Sequence, residues 1–211
     1  MSQDVQEDAM PHPLKGRLVI VRHGQTDWNK AGRMQGSTDI ELNDLGREQA
    51  REAAVELRGF SREGESWEVL AASPLSRAEE TAHIIGLELG ISQVLTVPGV
   101  IERSFGEAEG KVLTYEQSRH PEQRYTGVEP EAEVYRRGIM ALQELVREYP
   151  GRNIVVVSHG SLIRRVLKAT TPGDWTAAIP NARPLEVDLE GLLGWDPSTP
   201  DAVMGGQGSG R

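Results

Sequence analysis

LVIVRHGQTDWN, residues 18–29, decides the fold. Its first four residues are a run of aliphatic, mostly β-branched side chains with no polar alternation. Such a run reads as a strand covered on both faces, as in parallel α/β sheets. It stops at Arg22-His23-Gly24, and a second stretch of the same form, IVVVSHG at residues 154–160, stops at Ser158-His159-Gly160. In open α/β sheets ligands sit in the crevice outside the carboxyl ends of the strands. The reading therefore brings His23 and His159 to one site, although they lie far apart in a chain with five histidines.

Working outward, strand-like and helix-like segments alternate. Residues 17–22 form the first strand, and Asn43 or Asp44 caps a helix that carries Gly46, Ala50, Ala53, Ala54 and Leu57 to about residue 58. Residues 68–72 form a second strand, followed by a helix over 75–89 that Gly90 stops. Residues 93–97 read as a third strand. A long amphipathic helix over 130–149 carries Val134, Ile139, Leu142, Leu145 and Val146 on its apolar side. Residues 153–158 form the next strand, residues 161–169 its following helix, and residues 185–189 an edge strand. The repeated β-then-α order predicts one α/β domain, a three-layer α/β/α sandwich with a mostly parallel sheet, over residues 16–196. Residues 1–15 lack a hydrophobic period and residues 197–211 end in GGQGSGR, so both are expected to be disordered, flexible tails.

Composition sets bounds on function. The 211-residue chain has no cysteine, which excludes disulfides, thiol nucleophiles and thiolate metal sites. No apolar run approaches the roughly 20 residues of a membrane span, and the acidic N-terminus is unlike a secretory signal, so a cytoplasmic location is expected. A net charge of −9 argues against nucleic-acid partners. It leaves room for an anionic substrate wherever arginines cluster. No Lys in a Gly-rich loop points to a nucleotide, no Asp/Glu cluster to magnesium, and no cofactor or metal is expected. A homodimer is one option the sequence leaves open.

The strand ends gather more than two histidines. Arg77 opens the helix after the second strand, beside Ser73-Pro74 and Ser76, and Glu102 follows the third strand. Arginines present planar donors that match phosphate oxygens, and helix N-termini add backbone N–H groups. Flanking cations disfavour imidazolium, so His23 is expected to be neutral and nucleophilic near pH 7. His159, Arg22 and Arg77 then neutralise charge on the equatorial phosphoryl oxygens. Glu102 serves as the proton carrier, starting protonated beside a bound phosphate dianion.

At this point the chain resembles the histidine phosphatase superfamily, phosphatases related to the phosphoglycerate mutases that use 2,3-bisphosphoglycerate. The resemblance runs from about residue 17 to 187 and implies a phosphoglycerate mutase-like fold. RHGQTDWN is similar to the family signature, which implies that Arg22 holds phosphate, His23 becomes phosphohistidine and Asn29 contacts the phosphoryl group. RMQGSTDIELNDLGREQA, residues 33–50, implies that Gln35 and Gly36 line the substrate pocket. SPLSRAEETA supplies Arg77, IERSFGEAEG supplies the acid–base glutamate at Glu102, and VVSHGSLIRR supplies His159, with Gly160 beside the phosphate. Two departures fall in the lid: Ala108 stands where the family often has Trp, and Val128-Glu129-Pro130 where it often has Gly-Glu-Ser/Thr. The family's mutases carry a longer segment between glutamate and second histidine, with an arginine pair for the far end of the substrate. Here Arg136-Arg137 fall in the helix pattern, with one or both facing solvent. The resemblance thus implies a phosphatase for a small phosphorylated metabolite, such as a sugar phosphate or phosphoglycerate derivative. A phosphoglycerate mutase and an inactive phospho-ligand-binding regulatory protein are the alternatives.

Other residues have plainer readings. His12, His83 and His120 read as tail, helix-face and loop residues, and Trp28 and Trp175 as packing or pocket walls. Glu129, Glu131 and Glu133 read as an acidic helix start. Arg103, Lys111, Arg119 and Arg124 read as solvated surface, with contact to a second anionic substrate group as the alternative.

Overall fold

The computed structural model describes residues 15–61, 65–114, 117–118 and 120–198. The two expected tails, apart from Lys15, Pro197 and Ser198, and the readings of His12 and Arg119 lie outside the described residues. Five strands build the sheet: β1 (Leu18–Arg22), β2 (Val69–Ala72), β3 (Leu95–Thr96), β4 (Ile154–Ser158) and β5 (Pro184–Val187), in the order β3-β2-β4-β1-β5. All pairings are parallel except β1 with β5. Helices among the described residues include α1 (Asp27–Lys30), α2 (Asp44–Phe60), α3 (Ser76–Leu89), α4 (Glu131–Glu148), α5 (Gly160–Thr170) and α6 (Leu189–Gly194).

The unbroken aliphatic runs follow from cores on both faces. Leu18 and Ile20 of β1 and Ile154 and Val156 of β4 pack with residues of α4, α5 and α6. The alternate residues, Val19, Val21, Val155 and Val157, pack with residues of α2 and α3. All eight are essentially fully buried, and each contributes roughly 1.5–3 kcal/mol by leaving water. The α/β/α layering expected from the sequence is what the chain adopts.

Parallel register does the positioning. Leu18 pairs with Ile154 and Arg22 with Ser158, so the next residue on each strand, His23 and His159, falls side by side. The His23 backbone N–H donates to the Ser158 carbonyl at 2.9 Å, continuing the ladder by one step. After β1 the chain crosses to α2 on one face, and after β4 to α5 on the other. The β1/β4 boundary is thus the point where the strand order reverses. Close approach of backbone is needed there: a Cβ on Gly24 would sit 2.2 Å from the Gly46 carbonyl oxygen, and one on Gly46 2.1 Å from that of Gln25.

Apart from small shifts at element ends, four features differ from the sequence reading. The third strand covers only Leu95–Thr96, because Pro98 starts a 3-10 turn, Pro98–Val100. The edge strand runs Pro184–Val187 and gives way to α6, whose N-cap Asp188 accepts from the Glu190 N–H. Proline is tolerated there because β5 begins with it at the sheet edge. The short helix α1 lies inside the first motif, capped by a reciprocal Thr26–Asn29 box. Arg103, read as solvated surface, is 1% exposed.

Candidate active site

One cavity of about 450 Å³ opens at the carboxyl ends of β1 and β4. Arg22, His23, Asn29, Gln35, Gly36, Arg77, Glu102 and Gly160 all line it. The His159 ring centroid lies 5.1 Å from that of His23. The expected site residues therefore come together.

His23 is 2% exposed. Its Nδ1 lies 2.7 Å from the carbonyl oxygen of Gly24. A carbonyl can only accept, so Nδ1 carries the ring proton and Nε2 keeps its lone pair. Burial pushes the His23 pKa well below the usual histidine value, with Arg22 and then Arg77 adding to it and the Gly24 bond opposing. The expected neutral imidazole thus owes more to desolvation than to its cationic neighbours. His159 is also buried and held well below the usual value, by burial first and then by His23, Arg77, Arg22 and Arg137. Its Nε2 meets the Ser73 hydroxyl at 2.7 Å, and its Nδ1 has no hydrogen-bond partner.

The two arginines are braced by backbone. Arg77 is fully buried; it donates to the carbonyls of Gly36 at 2.7 Å and Thr38 at 2.9 Å, with Asp39 3.8 Å away. Arg22 donates to the Ile179 carbonyl at 2.6 Å, and burial lowers its pKa to about 10 against the help of Glu102. The Nε of each arginine is buried without a partner. An unpaired buried donor is costly, so two of them on one cavity wall amount to a standing demand for an anion. Gly160 adds closeness: a Cβ there would lie 3.3 Å from Arg22 Nε.

The remaining expected residues act through backbone and caps. Asn29 Oδ1 accepts from the Thr26 N–H at 3.2 Å, and Gln35 Oε1 accepts from the Thr26 hydroxyl at 2.9 Å. Gly36 has φ +58°, a left-handed conformation that favours glycine. Glu102 takes N–H bonds from Arg103, Ser161 and Leu162 at 2.8, 3.0 and 3.1 Å. It links its own loop to the start of α5.

Sequence reasoning missed the residues that hold this frame. Glu109 accepts from the backbone of Ser37 and Thr38, from both their hydroxyls and from the Phe105 N–H. It thereby fixes the loop whose carbonyls hold Arg77. Burial opposes this, yet the bonds keep its carboxyl below the usual carboxylate range. Arg137, expected in the helix pattern, is half-buried. It donates to the carbonyls of Gly99, Ile101 and Glu102 and pairs with Glu129 at 2.7 Å, whereas Arg136 faces solvent as expected and pairs with Glu133. Glu129 is therefore no mere acidic helix start, since its carboxylate also accepts from the Ser104 N–H. Arg103 pairs with Glu122 at 3.2 Å and Glu131 at 3.3 Å, and Trp175 lines the cavity. A short motif cannot reveal the roles of Glu109, Arg137, Glu129 and Arg103, because each arises where the 101–131 segment folds back, whereas Trp175 reads from sequence as a packing residue or pocket wall.

No helix among the described residues is long and apolar enough to cross a membrane. Among them no group of three or more His, Asp or Glu side chains is arranged to hold a metal ion.

Three comparisons bear on this site. The sequence pattern of the histidine phosphatase superfamily (branch 1) matches residues 18–189. Uncharacterized phosphatase PhoE of Bacillus subtilis (strain 168) is 36% identical over 157 residues, covering 74% of this chain and 78% of the relative. Phosphoglycerate mutase-like protein 4 of Arabidopsis thaliana is 36% identical over 167 residues, covering 74% and 71%. Among solved structures, a mycobacterial glucosyl-3-phosphoglycerate phosphatase in complex with VO3 superposes with a TM-score of 0.68 at 29% identity, covering 81% of this chain and 90% of its own.

Proposed function

The chain belongs to the histidine phosphatase superfamily, and from that premise we propose that it is a phosphatase that hydrolyses monoesters of small phosphorylated metabolites through phospho-His23. The observation that carries the reading is the pair of unpartnered Nε–H groups on Arg22 and Arg77, beside an imidazole whose proton is held at Nδ1 by the Gly24 carbonyl.

In the first half-reaction the His23 Nε2 lone pair forms a bond to phosphorus as the ester P–O bond breaks, and the leaving alkoxide takes the proton of Glu102. In the second, Glu102 removes a proton from water, whose oxygen attacks phosphorus. The P–N bond breaks, returning its electron pair to His23 and releasing phosphate. Arg22 and Arg77 stabilise charge on the equatorial oxygens, donors fixed before the reaction starts. His159 adds a neutral donor in the tautomer whose ring proton sits on the otherwise unpartnered Nδ1, the Ser73 hydroxyl then donating to Nε2. Glu102 must exchange its N–H bonds at the start of α5 for the leaving oxygen, so its proton transfer is coupled to that helix end.

The test is phosphate release from a panel of metabolite monoesters, with and without 2,3-bisphosphoglycerate. Net phosphate release that needs no bisphosphoglycerate supports the phosphatase. Phosphoryl exchange that depends on bisphosphoglycerate, without net release, selects the mutase. No turnover with any ester, alongside ordinary binding of phosphate, selects the regulatory ligand-binder. Because no step needs a metal, a chelator should leave the rate unchanged.

A further inference from the structure

Beyond the phosphoryl end, the cavity is far more cationic than hydrolysis of a simple monoester requires. Seven arginine and lysine side chains line it, five of them besides Arg22 and Arg77, against two carboxylates, Glu102 and Glu131, in a chain whose net charge is −9. Both carboxylates already serve the protein. Glu102 accepts from the start of α5, and Glu131 bridges Arg103 and Arg165. Arg165 is nine-tenths buried, yet its Nε has no hydrogen-bond partner.

The positions of these cations follow a helical row. Gly160, Arg164 and Lys168 are spaced by four on α5, so they share one face, and all three line the cavity. Gly160 is at the phosphoryl end, packed against Arg22. With a rise of 1.5 Å per residue, Arg164 starts about 6 Å and Lys168 about 12 Å farther along the helix axis. Arg33 lines the same cavity.

Resting on the phosphatase reading, we propose that Arg164 and Lys168 form a second anion subsite. The substrate class is then a phosphate monoester with a second carboxylate or phosphate, held one to two helical turns from the phosphoryl group being transferred. Such a subsite raises kcat/KM for long dianionic esters over compact ones, because the remote ion pair positions the reacting phosphorus.

The test uses the full chain and a chemical ruler. Phosphate monoesters of ω-hydroxy carboxylic acids of increasing length form one arm, and bisphosphates of matched diols the other. Phenyl phosphate, with no second anion, is the reference. The expected result is a ratio of kcat/KM to the reference that rises with spacer length, passes through a maximum and falls, in one or both arms. Arg164→Met should lower that maximum about tenfold, and Lys168→Met about two- to fivefold, as befits an exposed pair. A ratio flat with length, or unchanged in both variants, overturns the subsite. Calorimetry of the same esters with the His23→Asn protein reads the subsite without chemistry. A length preference in binding without turnover by the unsubstituted chain would retire the hydrolase reading and keep the subsite. Turnover of phenyl phosphate with no length preference would do the reverse.

Discussion

The two halves of the cavity are built on different principles. The half at the sheet edge carries His23, Arg77 and His159, all at most 2% exposed, and takes its geometry from strand register and backbone bonds. The facing half, from Glu102 to Glu131, is held by charge pairs whose acidic members are 20–45% exposed. Register is fixed because a one-residue slip would invert both cores. Exposed ion pairs are each worth little and yield to salt and substitution. The sheet edge therefore suits chemistry that must not move, and the facing segment suits selectivity and opening.

The largest expected effect tests the sheet edge. His23→Asn should lower phosphate release by roughly 10⁴-fold or more, measured by stopped assay, because the proposed attacking lone pair is lost and His159 is proposed to present a proton instead. Glu102→Gln comes next, on the facing half. It should cost about 10²–10⁴-fold with alkyl phosphates and far less with an activated aryl phosphate, whose leaving group needs no proton. Equal slowing of both would remove Glu102 from proton transfer. Arg77→Lys keeps the charge and loses the fork that binds the Gly36 and Thr38 carbonyls. It should reduce kcat/KM about 10²-fold, a loss that added salt does not restore. Glu109→Gln, in the facing half, should cost only about three- to tenfold, since it weakens the clamp on the 36–38 loop without removing a reacting group. A loss as large as that of Arg77→Lys would erase the distinction between the halves.

The smallest effect is on stability. His23 and His159 have folded-state pKa values pushed below the unfolded value near 6.5. The unfolded chain then binds more protons, so stability is full above about pH 6.5 and is lost as pH falls below it. Denaturant titrations from pH 7.5 to 5.5 should show this slope, roughly 1 kcal/mol or more per pH unit below the midpoint. It should be shallower in His23→Asn. An unchanged slope in that variant would mean that His23 is not held neutral by its burial.

The same contrast explains what could be read from the sequence. Strands β1 and β4 were legible as aliphatic runs ending at His-Gly, and the sheet rule placed their histidines together without any contact being known. Arg77 was legible because a cation in the first turn of a helix opposes the dipole unless an anion lies there. Arg103, Arg137 and Glu129 were not, since a charged residue in a loop or on a helix normally faces water. Their burial depends on the 101–131 segment folding over the sheet edge. Glu109 was hidden for the same reason: its partners at Ser37 and Thr38 lie about seventy positions earlier. The helix α6 escaped because six residues carry too little periodicity to show.

Rapid quenching of the chain with a ³²P-labelled monoester would trap the phosphohistidine itself. The protein should carry a label that survives alkali, is lost in acid, maps to His23 and is absent from His23→Asn. A label that survives that substitution, or turnover with no labelled protein at any quench time, would contradict the phospho-His23 intermediate.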